Sequence, residues 1–275
     1  MRYSLNISQR AVRIRRFILF GSFLILFSSL QVDGESQNFP KQRLLKDHFV
    51  IYHDNRQIAN DLGWRAEYYY KRILRHLGVV DFHPWEGESK CVILLFKTQD
   101  EYIKEMKAQS WSGGQAVKNM NLLATFEGTE GLETRILPHE MTHLILWEYF
   151  GKADIPLWFN EGMAQYEQEE QADYNYKKYI LQMVREGKYI KLADLFNKVY
   201  IPSAPIEIGL FYAESASVID YMRRELLQAQ FSKFVSEIKK GQPVDEVLKE
   251  VYQWKFPKGI EDFERRWIEY VTTKY

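Results

Sequence analysis

Residues 138–143 read Pro138-His139-Glu140-Met141-Thr142-His143, and Leu157-Trp158-Phe159-Asn160-Glu161-Gly162 follows downstream. On a helix, residues four apart project from one face with Cβ atoms about 5–6 Å apart. Two imidazoles spaced in this way can grip one metal ion. Glu140 lies one residue on from His139, roughly 100° around the axis. Its carboxylate therefore stands beside the ion, where it can reach a water held there instead of the ion itself. Two neutral nitrogen ligands with an adjacent general base are what a zinc hydrolase needs. The chain has only 6 histidines, so this pairing is unlike a chance arrangement of surface residues.

Catalytic zinc takes three protein ligands and keeps a fourth position for water or substrate. A histidine shortly after a glycine would be one solution, but Tyr149 occupies that register, and no histidine follows His143. The third ligand is then an oxygen donor or a histidine from the N-terminal half, and Glu161 is the natural candidate. Gly151 closes the first helix and Asp154-Ile155-Pro156 opens a second. A connection this short lays the two helices side by side.

These residues resemble the gluzincins, zinc peptidases with His-Glu-x-x-His on one helix and a glutamate ligand on the next. Trp158-Phe159-Asn160-Glu161-Gly162-Met163-Ala164 is similar to the Trp-Leu-Asn-Glu-Gly-Phe-Ala stretch of the aminopeptidase N group. Together with Leu137-Pro138-His139-Glu140-Met141-Thr142-His143, it more closely resembles the smaller peptidase MA-like domains. The similarity extends from about His48 to the C-terminus. It implies an α+β, zincin-like fold: a small N-terminal mixed sheet with helices, then an all-helical C-terminal lobe, with the active-site cleft between. It implies one Zn2+ held by His139, His143 and Glu161, with Glu140 as general base. The Gly-x-Met-Glu-Asn signature that helps aminopeptidase N relatives hold a free amino terminus is absent, which weakens an aminopeptidase assignment.

Hydrolysis of an amide generates an oxyanion, and a second electrophile opposite the metal commonly stabilises it. No histidine follows His143 into the C-terminal lobe, so a tyrosine hydroxyl or an arginine must serve. Tyr212 is the choice among 18 tyrosines. It opens an amphipathic helix after a Gly- and Pro-containing loop, and it resembles the Tyr-Ala-x-Ser stretch of peptidase MA-like domains. A core or interface aromatic is the competing role. Tyr166, Tyr200 and Tyr221 are weaker candidates.

Arg10, Arg13, Arg15 and Arg16 lead into the apolar run from Phe17 to Leu30. A basic segment before a short apolar core reads as a secretory signal, since roughly 20 apolar residues span a bilayer. Residues 1–34 are thus expected to be a signal peptide or an uncleaved anchor, and 35–275 the peptidase domain. That places the protein in an extracytoplasmic setting, periplasmic or secreted, with membrane attachment as the variant. Formal net charge is +0, which argues against nucleic acid as a partner, and the resemblance implies a peptide or protein substrate. Cys91 stands alone in the apolar run Cys91-Val92-Ile93-Leu94-Leu95-Phe96 and reads as a buried small residue.

Periodicity predicts strands at 49–52, 91–96 and 121–126 and helices at 56–77 and 100–107. Beyond Glu169 it predicts helices near 174–187, 211–227, 231–240, 244–252 and 260–270. Residues 112–116 read as a turn, and the strand at 121–126 as the edge of the cleft, where unpaired backbone groups could hold an extended substrate. Pro138 is tolerated only in a first turn, which predicts a helix starting near Thr134 or Arg135, or one kinked at its start. The run Glu167-Gln168-Glu169-Glu170 reads as a solvated helix face. His48, His53, His76 and His83 show no ligand spacing and are expected to be structural or surface residues. The function these features suggest is a zinc metallopeptidase. An aminopeptidase-type exopeptidase and a non-catalytic peptide-binding module are the alternatives, and the presence of Glu140 argues against the last.

Overall fold

The apolar run at Cys91 forms the central strand of the sheet, with all six residues buried. The structure is a computed structural model that describes residues 39–79, 81–169 and 176–275. The N-terminal segment expected to direct export lies outside those residues. Among the described residues no helix is long and apolar enough to cross a membrane.

The described residues form five strands: β1 (Gln42–Leu45), β2 (Phe49–His53), β3 (Cys91–Phe96), β4 (Gly114–Val117) and β5 (Leu122–Phe126). Their order across the sheet is β1-β2-β3-β5-β4. The β2–β3 and β3–β5 pairs are parallel, in register at Ile51–Ile93 and Ile93–Leu123. The outer pairs are antiparallel, with Ala116 opposite Leu123 at the β4 edge. The parallel crossover from β2 to β3 is made by α1 (Arg56–Leu77). Asn55 caps its first turn through its side chain, and Gly78 ends it at φ 73°, a left-handed conformation that glycine adopts without strain. The helix α2 (Gln99–Met106) starts from a Thr98/Glu101 capping box.

The chain then becomes helical: α3 (Leu137–Phe150), α4 (Leu157–Tyr166), α5 (Tyr176–Arg185), α6 (Leu192–Phe196), α7 (Pro205–Glu225), α8 (Gln228–Lys239), α9 (Val244–Val251) and α10 (Ile260–Lys274). One continuous core joins sheet and helices, running from Ile93 and Leu123 through Ile145 and Phe159 to Ile219 and Trp267. The α+β class, with a mixed sheet preceding a helical lobe, is as expected.

Four expectations need correction. The cleft edge is β4 and not the strand at 121–126, because β5 lies between β3 and β4 with both sides paired. The segment read as a turn supplies that edge strand: within it only Gly113 bends, and the short residues after it extend along β5. Tyr212 does not open its helix. Pro205 does, at a first-turn position where its missing N–H costs nothing, and Gly209 is carried in the helix interior. Glu167 is no solvated side chain but is fully buried, for reasons that bear on the site.

Candidate metal centre

Pro138 takes a first-turn position of α3, which begins at Leu137 after a single π-helical turn at Leu132–Ile136. Proline has no N–H to give the Thr134 carbonyl four residues back. That carbonyl accepts instead from the backbone N–H of Glu169, at 2.8 Å. The proline therefore starts the histidine helix and ties its approach to the segment following α4.

Leu137, Met141, Leu144 and Ile145 anchor α3 in the core. His139 and His143 point away from it together, with ring centroids 4.8 Å apart at 85° and their Nε2 atoms at 3.2 Å. The His143 ring stacks on Trp147, at 19° between planes. On α4, Trp158 and Phe159 are fully buried and fix the rotation of the helix. Glu161 then reaches the two histidines, with Oε2 at 3.9 Å from His139 Nε2 and 3.7 Å from His143 Nε2. Gly162 makes this possible: a Cβ there would lie 2.7 Å from the Ser215 carbonyl oxygen, so α4 and α7 meet backbone to backbone.

These three side chains form a cluster able to hold a metal ion. Ligand atoms about 2.0–2.1 Å from a tetrahedral zinc stand roughly 3.4 Å apart, and the distances here fall around that value. The chemistry of the donors agrees. Burial, and then the neighbouring His143, push the His139 pKa down to about 3, so the ring is neutral near pH 7. His143 Nδ1 lies 3.0 Å from Asn160 Oδ1. Donating its proton there leaves the Nε2 lone pair facing His139 Nε2 and Glu161. Burial raises the Glu161 pKa to about 7. A buried carboxylate facing two nitrogen lone pairs is a site that a cation relieves.

Glu140 stands beside this cluster, half-buried, and burial is the main cause of its raised pKa. The backbone N–H of Ala116, on the outer edge of β4, donates to its Oε2 at 2.8 Å. The cleft next to it has a volume of about 570 Å3 and is lined by His139 and Glu140 on one side and by Trp111, Gly114 and Phe126 on the other. Tyr212, on α7, is half-buried; burial raises its pKa, and the charges of Glu161 and Glu140 raise it further. Its hydroxyl is thus within electrostatic reach of both carboxylates and stays protonated. Tyr200 is exposed, and Tyr221 packs against Phe263 and Tyr270 in the core.

Sequence reasoning assigned no role to Asn160 or to the Ala116 amide. Asn160 was visible beside Glu161. The amide had no side-chain signal, since any residue but proline supplies one. His48 pairs with Glu67 and His76 with Glu167, structural roles as expected. Cys91 is buried.

A mixed sheet whose edge faces a two-helix His-His-Glu cluster defines a gluzincin-like peptidase domain. Residues 89–273 match the sequence model of the peptidase MA superfamily, and the chain belongs to that superfamily. No curated protein matches the chain significantly.

Proposed function

We propose that this protein is an exported, zinc-dependent metallopeptidase that hydrolyses peptide bonds with Glu140 as general base. The observation that carries this reading is the meeting of His139, His143 and Glu161, with Glu140 beside His139 in the lining of the adjoining cleft. A zinc ion on those three residues would supply a Lewis acid that polarises a carbonyl and acidifies water. Glu140, its basicity raised by burial, takes the proton from the attacking water and passes it to the leaving amine. The Ala116 N–H holds that carboxylate against the cleft wall. An extended substrate backbone would lie along β4, the edge strand beside the cleft, through backbone groups other than the Ala116 N–H that Glu140 engages. Tyr212, kept protonated, donates to the oxyanion. Export rests on the basic and apolar run between Arg10 and Leu30.

The test combines metal analysis of the purified protein with cleavage of a peptide library. One zinc per chain is expected. Glu140→Gln should keep the metal and lose at least ~100-fold in hydrolysis. Tyr212→Phe should lose ~10²–10³ in turnover with little change in substrate binding. Hydrolysis that survives Glu140→Gln would remove Glu140 as the base. A zinc-loaded protein that binds peptides and cleaves none would make it a binding module.

A further inference from the structure

Gln168 lies two residues beyond the end of α4, in a run of side chains whose composition suggests solvent. Each neighbour is instead pinned to α1. Glu167 is fully buried, and its two carboxylate oxygens are divided between His76 Nδ1 at 2.7 Å and Arg72 Nε at 2.9 Å. Its carbonyl also accepts from Arg72 Nη2. Glu169 accepts from the Tyr69 hydroxyl at 2.8 Å and gives its N–H to the Thr134 carbonyl freed by Pro138. Between these two anchors the Gln168 amide nitrogen Nε2 stands 2.9 Å from His139 Nδ1, and the two ends of an amide are alike in shape.

We propose that Gln168 is a positioning residue for the metal centre, accepting the Nδ1 proton of His139 on its amide oxygen and so presenting Nε2 to the ion. The inference rests on the reading of His139 as a ligand. A neutral imidazole carries one proton, so a ring that ligates through Nε2 must carry it on Nδ1 and needs an acceptor there. Turning the Gln168 amide by 180° puts Oε1 in the position 2.9 Å from Nδ1. Each histidine then has an amide side chain from the glutamate segment on its far nitrogen: Asn160 on His143 and Gln168 on His139. The Ala164 carbonyl also hydrogen-bonds the His139 ring, so Gln168 shares the task. The anchors supplied by Arg72, His76 and Tyr69 keep a long, otherwise mobile side chain in that one place.

The experiment is zinc affinity, measured by chelator competition on the full protein, for wild type, Gln168→Met and Gln168→Glu, with thermal melts of the metal-free forms. Methionine keeps the length and removes the acceptor. It should weaken zinc binding by ~10–100-fold while the metal-free melting temperature hardly moves. Glutamate restores an acceptor in the same place and should bind zinc at least as tightly as wild type. Equal affinities for wild type and Gln168→Met would overturn the proposal with the metal site intact, the Ala164 carbonyl then being sufficient. Weakened binding in both variants would overturn it as well, because acceptor chemistry would not be what matters. A wild type that binds no zinc would instead remove the metal reading on which the inference stands.

Discussion

Glu161 is held in the metal-free protein against its own chemistry. Burial raises its pKa to about 7, whereas an unfolded chain ionises it near the ordinary glutamate value of about 4.3. Between those limits the folded state binds the extra proton. Stability contributed by the protonated form is full below the unfolded pKa and is lost as pH rises through about 7. Glu161→Gln cannot ionise and escapes this loss. Urea melts of the two metal-free proteins should therefore diverge as pH rises from 4 to 8, with the variant gaining about 3 kcal/mol on wild type at the upper end. The depressed His139 titration acts in both proteins and drops out of the difference. A gap that stays constant over this range would mean that Glu161 ionises as freely in the folded chain as in water. Added zinc should reverse the order, since only wild type has the carboxylate.

At the scale of elements, α4 is placed by a glycine as much as by its apolar anchors. Gly162→Ala would gain about 1 kcal/mol in helix propensity. Against this, the new methyl would lie 2.7 Å from the backbone oxygen of Ser215, a neighbour that cannot rotate away. Overpacking of this sort costs typically 1–3 kcal/mol, so net destabilisation is expected in a denaturant melt, together with weaker zinc binding as Glu161 is pushed from the histidines. A variant as stable as wild type with unchanged affinity would show that α4 and α7 can part freely. What could be read in advance follows the same division. The two helices that carry the His-His-Glu cluster were legible because the four-residue spacing of His139 and His143 coincides with the helical period, and α1 because its amphipathic run closes at Gly78. The edge strand β4 was not. Gly114-Gln115-Ala116-Val117 has weak strand chemistry, and pairing with β5 holds it extended. Glu167 was misread because a charge run carries no sign of the Arg72 and His76 waiting on a helix 95 and 91 residues away.

For the whole molecule, the His-His-Glu cluster joins pieces that the core has already assembled. His139 and His143 come from a helix packed beside α1 and β4, and Glu161 from one packed across α7, yet Ile145, Phe159 and Ile219 belong to one buried cluster without any ion. Small zinc domains that lack such a core unfold when the metal leaves. Here removal of metal should leave a folded protein that unfolds cooperatively. A ligand that binds only the native state stabilises by about 4 kcal/mol at a thousandfold excess over its Kd. For a domain of this size that corresponds to a rise of roughly 10 °C in melting temperature. Chelation should lower the thermal midpoint by this order and zinc should restore it, while the far-ultraviolet circular dichroism of the metal-free form stays close to that of the loaded form. His143→Ala should sit at the metal-free midpoint and ignore both reagents. Loss of helical signal on chelation would contradict the self-sufficient core. A midpoint indifferent to zinc in wild type would mean that His139, His143 and Glu161 hold no ion in solution.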